Sequence, residues 1–337
     1  MSPQTRSDAP VSDAMPARGK AWRMAKLRSF LPRFAILAVM AFGVLSRSDA
    51  SNTLGVAEFD ALYAEPLPRP EKPLRVFHLG HSLVSRDMPT MLAQLAPAGH
   101  RYESQLGWGT TLKAHWEPGE TINGFATENN HPRYRAAREA LQSGEYDVLV
   151  ATEMVNLLDA IRYFQSSEYL GRWAHLAEAG NPDIRVFLYE TWHQLDDPEG
   201  WLERLDLDLA RYWEGEILRR TLASSARQRP IYVIPAGQVM ARVVREIEAG
   251  KLHGLSSRKD LFSDQIHLND LGAYLVALTH FAVIYQQSPE GLPNQLLRHD
   301  GTLADAPVPE AARRMQALVW EVVSTMPRTG VPQRTDR

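Results

Sequence analysis

The sequence contains no cysteine among its 337 residues. That absence excludes disulfide bonds, thiolate metal sites, a cysteine nucleophile and lipid attachment at a cysteine. The histidines form no HExxH or other short metal-ligand pattern, and neither GxGxxG after a strand-like run nor GxxxxGK[ST] occurs. We therefore expect no metal and no other cofactor. With 44% hydrophobic residues, the chain can build the large core on which a protein without disulfides relies.

A hydrophobic run long enough to span a membrane is also missing near the N-terminus. The apolar run at 34–45 has 12 residues, too few for a helix that crosses ~30 Å of hydrocarbon. It follows a basic segment and precedes Ser48-Asp49-Ala50, whose small residues have the spacing that a signal peptidase accepts. We predict that residues 1–50 are a signal peptide and that the protein is periplasmic or secreted. The alternative is an uncleaved N-terminal anchor, which would then be the contact with the membrane.

Acidic residues outnumber basic residues after residue 50. The remaining chain carries 29 Lys and Arg against 37 Asp and Glu, a net charge of −8. An acidic surface repels phosphate backbones, so nucleic acid is not expected as a partner. The sequence does not indicate an oligomeric state.

Short apolar runs alternate with amphipathic segments along most of the chain. Strands are predicted at 74–79, 102–106, 147–152, 184–190 and 231–235, and helices at 88–96, 132–142, 157–179, 198–226, 237–249 and 269–287. This alternation predicts an α/β fold, a three-layer α/β/α sandwich with a mostly parallel five-stranded sheet, over a domain at 74–290. A proline-rich segment at 51–73 predicts an extended arm without a helix. The C-terminal extension, 291–337, is expected to hold one helix, 310–326, and a disordered tail.

A serine follows the first predicted strand, within Gly80-His81-Ser82-Leu83. Ligands of parallel α/β sheets bind at the carboxyl ends of the strands, so a hydroxyl at this position would face a crevice. There Ser82 could act as a nucleophile, with the N-terminus of the next helix stabilising an oxyanion. The alternative is an ordinary helix N-cap serine.

An acid and a histidine lie three residues apart before the last helix of the domain. Asp264 could accept a hydrogen bond from His267 Nδ1, which leaves Nε2 to take the proton of a serine hydroxyl. The alternatives are a surface acid beside a capping histidine, or a pair of metal ligands.

Taken together, these two motifs resemble the SGNH (GDSL-like) hydrolase family over about 74–287. Gly80-His81-Ser82-Leu83 stands where the family has Gly-Asp-Ser-Leu, and Asp264 with His267 stands as its DxxH motif. The resemblance implies a flavodoxin-like fold and a catalytic triad of Ser82, His267 and Asp264. It also implies an oxyanion hole formed by the N–H groups of Ser82 and Gly109, with Gly107 as the alternative glycine.

The third family motif departs from this pattern. Where the family usually has Gly-x-Asn-Asp after the third strand, this sequence has Ala151-Thr152-Glu153-Met154-Val155-Asn156. Asn156 is retained as a candidate oxyanion donor, although its offset differs. Thr152-Glu153 is more similar to the Gln-Glu pair of some family branches, so Glu153 is a candidate substrate-binding residue.

Aromatic residues flank these motifs. Trp108 follows the second strand, and Trp192 and His193 follow the fourth. All three are candidates for substrate contact, and the tryptophans could stack on sugar rings; ordinary packing is the alternative.

The resemblance and the predicted export together imply an exported serine esterase that hydrolyses a carboxylic ester, such as an O-acetyl group on a carbohydrate. Its partner would be a small-molecule or glycan ester. Two alternatives stay open, an O-acyltransferase that acts on a glycan and a non-catalytic glycan-binding protein with the same fold.

Overall fold

Five parallel strands form one sheet in the order β2-β1-β3-β4-β5. The computed structural model describes residues 53–224 and 229–333, and the predicted signal peptide, 1–50, lies outside them. The strands are β1 (Arg75–His81), β2 (Arg101–Gly107), β3 (Val148–Ala151), β4 (Arg185–Glu190) and β5 (Tyr232–Pro235). This order is that of the flavodoxin-like doubly wound sheet, in which the strand order reverses between β1 and β3. Ligands of such sheets bind at that reversal.

The strands are buried along nearly their whole length. Every residue of β3 and β5 is buried, and in β1 and β4 the first residue alone is partly exposed. Continuous apolar strands of this kind need cover on both faces of the sheet, which is why they read as unbroken hydrophobic runs in the sequence. The predicted α/β fold with a parallel five-stranded sheet is confirmed.

The helices are α1 (Val56–Ala61), α2 (Asp87–Leu95), α3 (Leu112–Trp116), α4 (Phe125–Glu128), α5 (Ala137–Gln142), α6 (Leu157–Tyr163), α7 (Ser166–Gly180), α8 (Trp201–Asp208), α9 (Arg219–Ser224), α10 (Ala236–Glu248), α11 (Asp270–Tyr285) and α12 (Pro309–Val323). Most of them pack in two groups. One group contains α2 and α8 together with α10, α11 and α12, and the other contains α3, α5, α7 and α9. A π-helix, Leu209–Leu218, joins α8 to α9, and short 3-10 helices cover Arg258–Leu261 and Pro327–Thr329.

Helix α11 lies at the centre of the first group. Every residue from Gly272 to Tyr285 is buried, as expected of a helix that is apolar on all sides. The side chain of Asn269 caps it by accepting hydrogen bonds from the N–H groups of Leu271 and Gly272 at 3.0 and 3.1 Å. Among residues 53–224 and 229–333, no helix is both long and apolar enough to cross a membrane.

The prediction of an arm without a helix was wrong for the part that forms α1. Phe59 anchors this helix because its ring is 2% exposed and the guanidinium of Arg328 lies 4.4 Å from its centroid. The arm is also fixed at Leu67, whose N–H donates to the carbonyl of Gly330 at 2.7 Å. Prolines begin after α1, so they limit its length but do not prevent it.

The C-terminal segment is ordered as far as residue 333, contrary to the predicted disordered tail. Thr329 is fully buried, and its hydroxyl donates to the carbonyl of Val323 at 3.0 Å. The segment is held because it packs against the arm. Residues 334–337 lie outside the described residues.

Candidate active site

Ser82 lies directly after β1, beside the reversal of strand order between β1 and β3. It is not a helix N-cap, because α2 begins at Asp87 and its capping position is Arg86. Instead it belongs to a turn closed by the Val84 N–H, which donates to the carbonyl of His81 at 2.9 Å. The predicted placement at a strand end is correct, whereas the helix whose N-terminus was expected to stabilise an oxyanion begins only at Asp87.

His267 and Asp264 form a continuous chain of hydrogen bonds with Ser82. The Nε2 atom of His267 lies 3.0 Å from Ser82 Oγ, and its Nδ1 atom lies 2.7 Å from Asp264 Oδ2. Partial burial raises the pKa of Asp264, but the hydrogen bonds from His267 and Ile266 outweigh it and bring the pKa to about 2. Asp264 is therefore ionised at neutral pH and holds the proton on Nδ1. Nε2 is left free to accept the proton of the serine hydroxyl.

The loop that carries His267 has its own internal support. Asp264 Oδ1 accepts the N–H groups of Ile266 and His267 at 2.8 and 2.7 Å, so one side chain shapes the turn and contacts the imidazole. The carbonyl of Ile266 accepts the indole N–H of Trp192 at 2.8 Å. Trp192 is 1% exposed and supports the loop from below. Its burial contradicts the predicted stacking against substrate.

A cavity of about 710 Å³ lies beside Ser82 and His267. Trp108 and Gly109 line it, and Trp108 is 51% exposed. The indole N–H of Trp108 donates to Glu128 Oε1 at 2.6 Å, which fixes the ring at the rim. Of the two tryptophans predicted to contact substrate, Trp108 is the one that a ligand in this cavity can reach.

Gly109 lines the cavity in a backbone conformation that favours glycine. Its φ is +55°, and a Cβ atom there would meet nothing within 4 Å, so the residue is open to the cavity. A Cβ atom on Gly107 would lie 2.2 Å from Thr110 Oγ1, so this glycine serves packing. Among the described residues, neither the Ser82 N–H nor the Gly109 N–H donates a hydrogen bond. Both donors are thus available to a developing oxyanion.

Asn156 and His193 lie away from this cavity and line a different one. Asn156 caps α6, since its side chain accepts the Asp159 N–H at 3.4 Å and donates to Asp159 Oδ2 at 2.6 Å. His193 is buried, with Nε2 3.1 Å from Asp208 Oδ2. These contacts contradict the predicted oxyanion role of Asn156 and the predicted substrate contact of His193.

Glu153 is fully buried beneath the site and does not line the cavity. Its Oε1 atom accepts the N–H groups of Met154 and Leu112 at 2.8 and 3.3 Å. The backbone carbonyl of Glu153 accepts Nε2–H of His81 at 2.8 Å, and His81 directly precedes Ser82. Glu153 therefore fixes the backbone below the serine. The predicted contact with substrate does not fit this position.

Two buried histidines support the turn that holds Ser82, and the sequence reasoning missed both. His81 bridges β1 to Glu153, and His115 Nε2 donates to the carbonyl of Gly80 at 2.8 Å. Burial lowers the pKa of each to about 4, so both are neutral at physiological pH. The signal that could have found His81 is its position as the last residue of β1, directly before the serine.

A pH-dependent contribution to stability is expected from Glu153. Burial raises its pKa to about 7, above the unfolded value of about 4.5, so folding favours its protonated form. The resulting stabilisation is complete below pH 4.5 and is lost as pH rises through about 7; it amounts to at most about 3 kcal/mol. In Glu153→Gln, which stays neutral, this loss should vanish. Urea unfolding is measured at several pH values from 5 to 8. The free energy of unfolding of the variant should increase relative to that of the wild type as pH rises.

The exposed Glu71 supplies the matched control. Glu71→Gln removes a carboxylate from the surface and should follow the wild-type pH profile. The contributions of the buried histidines cancel when each variant is compared with the wild type at the same pH. A difference between Glu153→Gln and wild type that stays constant from pH 5 to pH 8 would contradict the assignment.

Comparisons with known proteins give similarity at the level of the fold. No protein-family model and no curated protein matches the sequence. The structure is similar to a DUF4886 family protein from Bacteroides uniformis, with 15% identity and a TM-score of 0.47 over 75% of this chain and 95% of that one. It is also similar to a protein described as a GDSL-like lipase from Parabacteroides merdae, with 12% identity and a TM-score of 0.39 over 64% of this chain and 99% of that one. A third similar structure is a lipase from a goat rumen metagenome, with 15% identity and a TM-score of 0.34 over 63% of this chain and 98% of that one. At this level of similarity, function has to be inferred from the site itself.

Proposed function

We propose that this protein is a serine hydrolase that cleaves a carboxylic ester, with Ser82 as nucleophile. The observation that carries the proposal is the hydrogen-bonded series Ser82 Oγ, His267 Nε2, His267 Nδ1 and Asp264 Oδ2 at the edge of a cavity. An alcohol is a weak nucleophile at neutral pH, and a neutral imidazole oriented by a carboxylate is the group that activates it.

In the proposed reaction, Ser82 Oγ bonds to the carbonyl carbon of the ester while His267 Nε2 takes the hydroxyl proton. The N–H groups of Ser82 and Gly109 hold the negative oxygen of the tetrahedral intermediate. His267 then protonates the alcohol oxygen as the bond from it to the acyl carbon breaks, and the acyl group remains on Ser82. Water repeats the sequence in the second half, with His267 as base and then as acid, and releases a carboxylic acid.

The substrate proposed is a small-molecule or glycan ester met outside the cytoplasm. The support for export is the charge order and apolar length of residues 1–50, and the support for a sugar is the exposed indole of Trp108 beside the cavity. Water is proposed as the acceptor. The role of Ser82 and the cleavage of an ester can be tested directly.

The experiment is covalent labelling with a fluorophosphonate, combined with turnover of p-nitrophenyl esters by residues 51–337. Labelling should map to the peptide that contains Ser82 and should be absent in Ser82→Ala. Ser256→Ala, which changes an exposed serine outside the cavity, should label like the wild type. Folded protein that neither labels nor turns over any ester would overturn the proposal and favour a binding function.

A further inference from the structure

A second cavity, of about 390 Å³, adjoins the cavity at Ser82. Three residues, Ser85, Arg86 and His299, line both. A ligand whose ester group lies at Ser82 therefore has the second cavity directly beside it. The apolar part of its wall includes Pro89 and Pro132.

The charge on the wall of this second cavity is positive. Arg86 and Arg133 line it, and no Asp or Glu does. The Arg86 guanidinium donates to the carbonyl of Thr127, and the Arg133 guanidinium lies 5.2 Å from the ring centroid of Tyr102. Within the described residues, neither guanidinium forms an ion pair with a carboxylate. Two cations thus face one cavity without a counter-ion from the protein.

The acidic side chains nearby are engaged elsewhere. Asp87 Oδ1 accepts the backbone N–H of His299 and also lies 2.7 Å from His299 Nδ1. Glu128 accepts the indole N–H of Trp108. Both acids line the Ser82 cavity and not the second one. Each of these carboxylates thus has a hydrogen-bond partner of its own, and neither pairs with Arg86 or Arg133.

His131 lines the same wall, but its ring is engaged with the protein backbone. Its Nδ1 atom accepts the backbone N–H of Arg133 at 3.1 Å, so the ring proton lies on Nε2. This Nε2 atom is buried beside the backbone carbonyl of Glu128. Recognition of an anion in the cavity therefore falls to Arg86 and Arg133.

We propose that the second cavity binds an anionic oxygen group, a carboxylate or a phosphate, carried by the ester substrate. The inference rests on the proposed function and names the substrate class more closely, as an ester with an anion near its acyl or alcohol part. Arg86 and Arg133 would hold the anion by charge-assisted hydrogen bonds.

The first test compares matched esters. The mono-p-nitrophenyl ester of glutarate carries its anion on the acyl side, with p-nitrophenyl valerate as its neutral partner. The acetate ester p-(acetoxymethyl)benzoate carries the anion on the alcohol side, with p-(acetoxymethyl)toluene as its neutral partner. In the wild type, at least one anionic ester should have a higher kcat/KM than its neutral partner. Whether the preference occurs with the acyl-side or the alcohol-side anion shows on which side of the scissile bond the second cavity lies.

Arg133→Met should then lower the ratio of kcat/KM for the anionic to the neutral ester by about tenfold to a hundredfold. Methionine retains apolar contact with Tyr102, so the change removes charge more than packing. Arg101→Met is the control, because this exposed arginine lines neither cavity and its ratio should stay at the wild-type value. Equal kcat/KM for all matched pairs, or an unchanged ratio in Arg133→Met, would overturn the proposal.

A second test separates this proposal from the proposed catalysis. Binding of benzoate and of inorganic phosphate to Ser82→Ala is measured by calorimetry, with Arg133→Met in the same background. Binding that weakens by about tenfold or more in the double variant supports the anion site even if no ester is turned over. Preference for one probe tells a carboxylate from a phosphate. If the wild type turns over esters but Ser82→Ala binds neither benzoate nor phosphate, the anion site is rejected and the proposed catalysis is retained.

Discussion

Replacement of Ser82 by alanine is expected to lower kcat for ester hydrolysis by at least about 10⁴-fold, while KM changes little. The variant keeps the cavity and both N–H donors of the proposed oxyanion hole, but it lacks the oxygen that is proposed to bond to the acyl carbon. Steady-state kinetics on a p-nitrophenyl ester provide the measurement. A residual rate near the wild-type value would mean that another group attacks the ester.

The same kinetics should show that Ser82 and His267 act as a unit. His267→Ala alone should cost about as much as Ser82→Ala, and the double variant should be no slower than either single variant. Asp264→Asn, which removes the charge that fixes the proton on Nδ1, should lower kcat by about 10⁴-fold. Losses that add up in the double variant would show that the two residues contribute independently.

Replacement of Gly272 by alanine is the second change with a large expected effect. A Cβ atom there would lie 2.2 Å from the carbonyl oxygen of Leu261 and 2.7 Å from Leu268 Cδ2, so helix α11 or the loop that carries His267 has to move. Overpacking of this kind costs about 1–3 kcal/mol, more than the helix propensity gained from alanine. Leu268 directly follows His267, so kcat/KM should fall by about a hundredfold as the imidazole is displaced.

The measurement is urea unfolding together with ester turnover, made where circular dichroism shows the variant to be folded. Gly119→Ala is the matched control, because this exposed glycine has no atom within 4 Å of the position of the new Cβ. It should leave both stability and kcat/KM near their wild-type values. A Gly272→Ala protein with wild-type kcat/KM would show that the loop tolerates the displacement.

Residues whose function depends on backbone position could be found from the sequence. Parallel strands end at the same edge of a sheet, so the hydroxyl of Ser82 could be located once β1 was recognised. Asp264 and His267 are three residues apart, and a turn of that length fixes their contact locally. The five strands were found for the same kind of reason, because burial on both faces makes them continuously apolar.

Side-chain direction was where the sequence was insufficient. Trp192, His193 and Asn156 all follow strands, as functional residues do, yet each points to a partner within the protein. Whether a residue after a strand faces the cavity or the core depends on loop conformation, and composition does not determine that. The helix α1 was missed because its anchor, the contact of Phe59 with Arg328, joins segments far apart in sequence.

That contact bears on the order in which the chain folds. The arm is held by residues near the C-terminus, through Leu67 with Gly330 and Phe59 with Arg328. The arm also contacts the middle of the chain, because the hydroxyl of Tyr63 donates to the carbonyl of Ile231 at 2.7 Å, directly before β5. A polypeptide is synthesised from its N-terminus, so the segment after residue 50 emerges long before either set of partners. Part of the arm can dock once β5 has formed, and its remaining contacts join the N- and C-terminal segments only when the last residues have emerged.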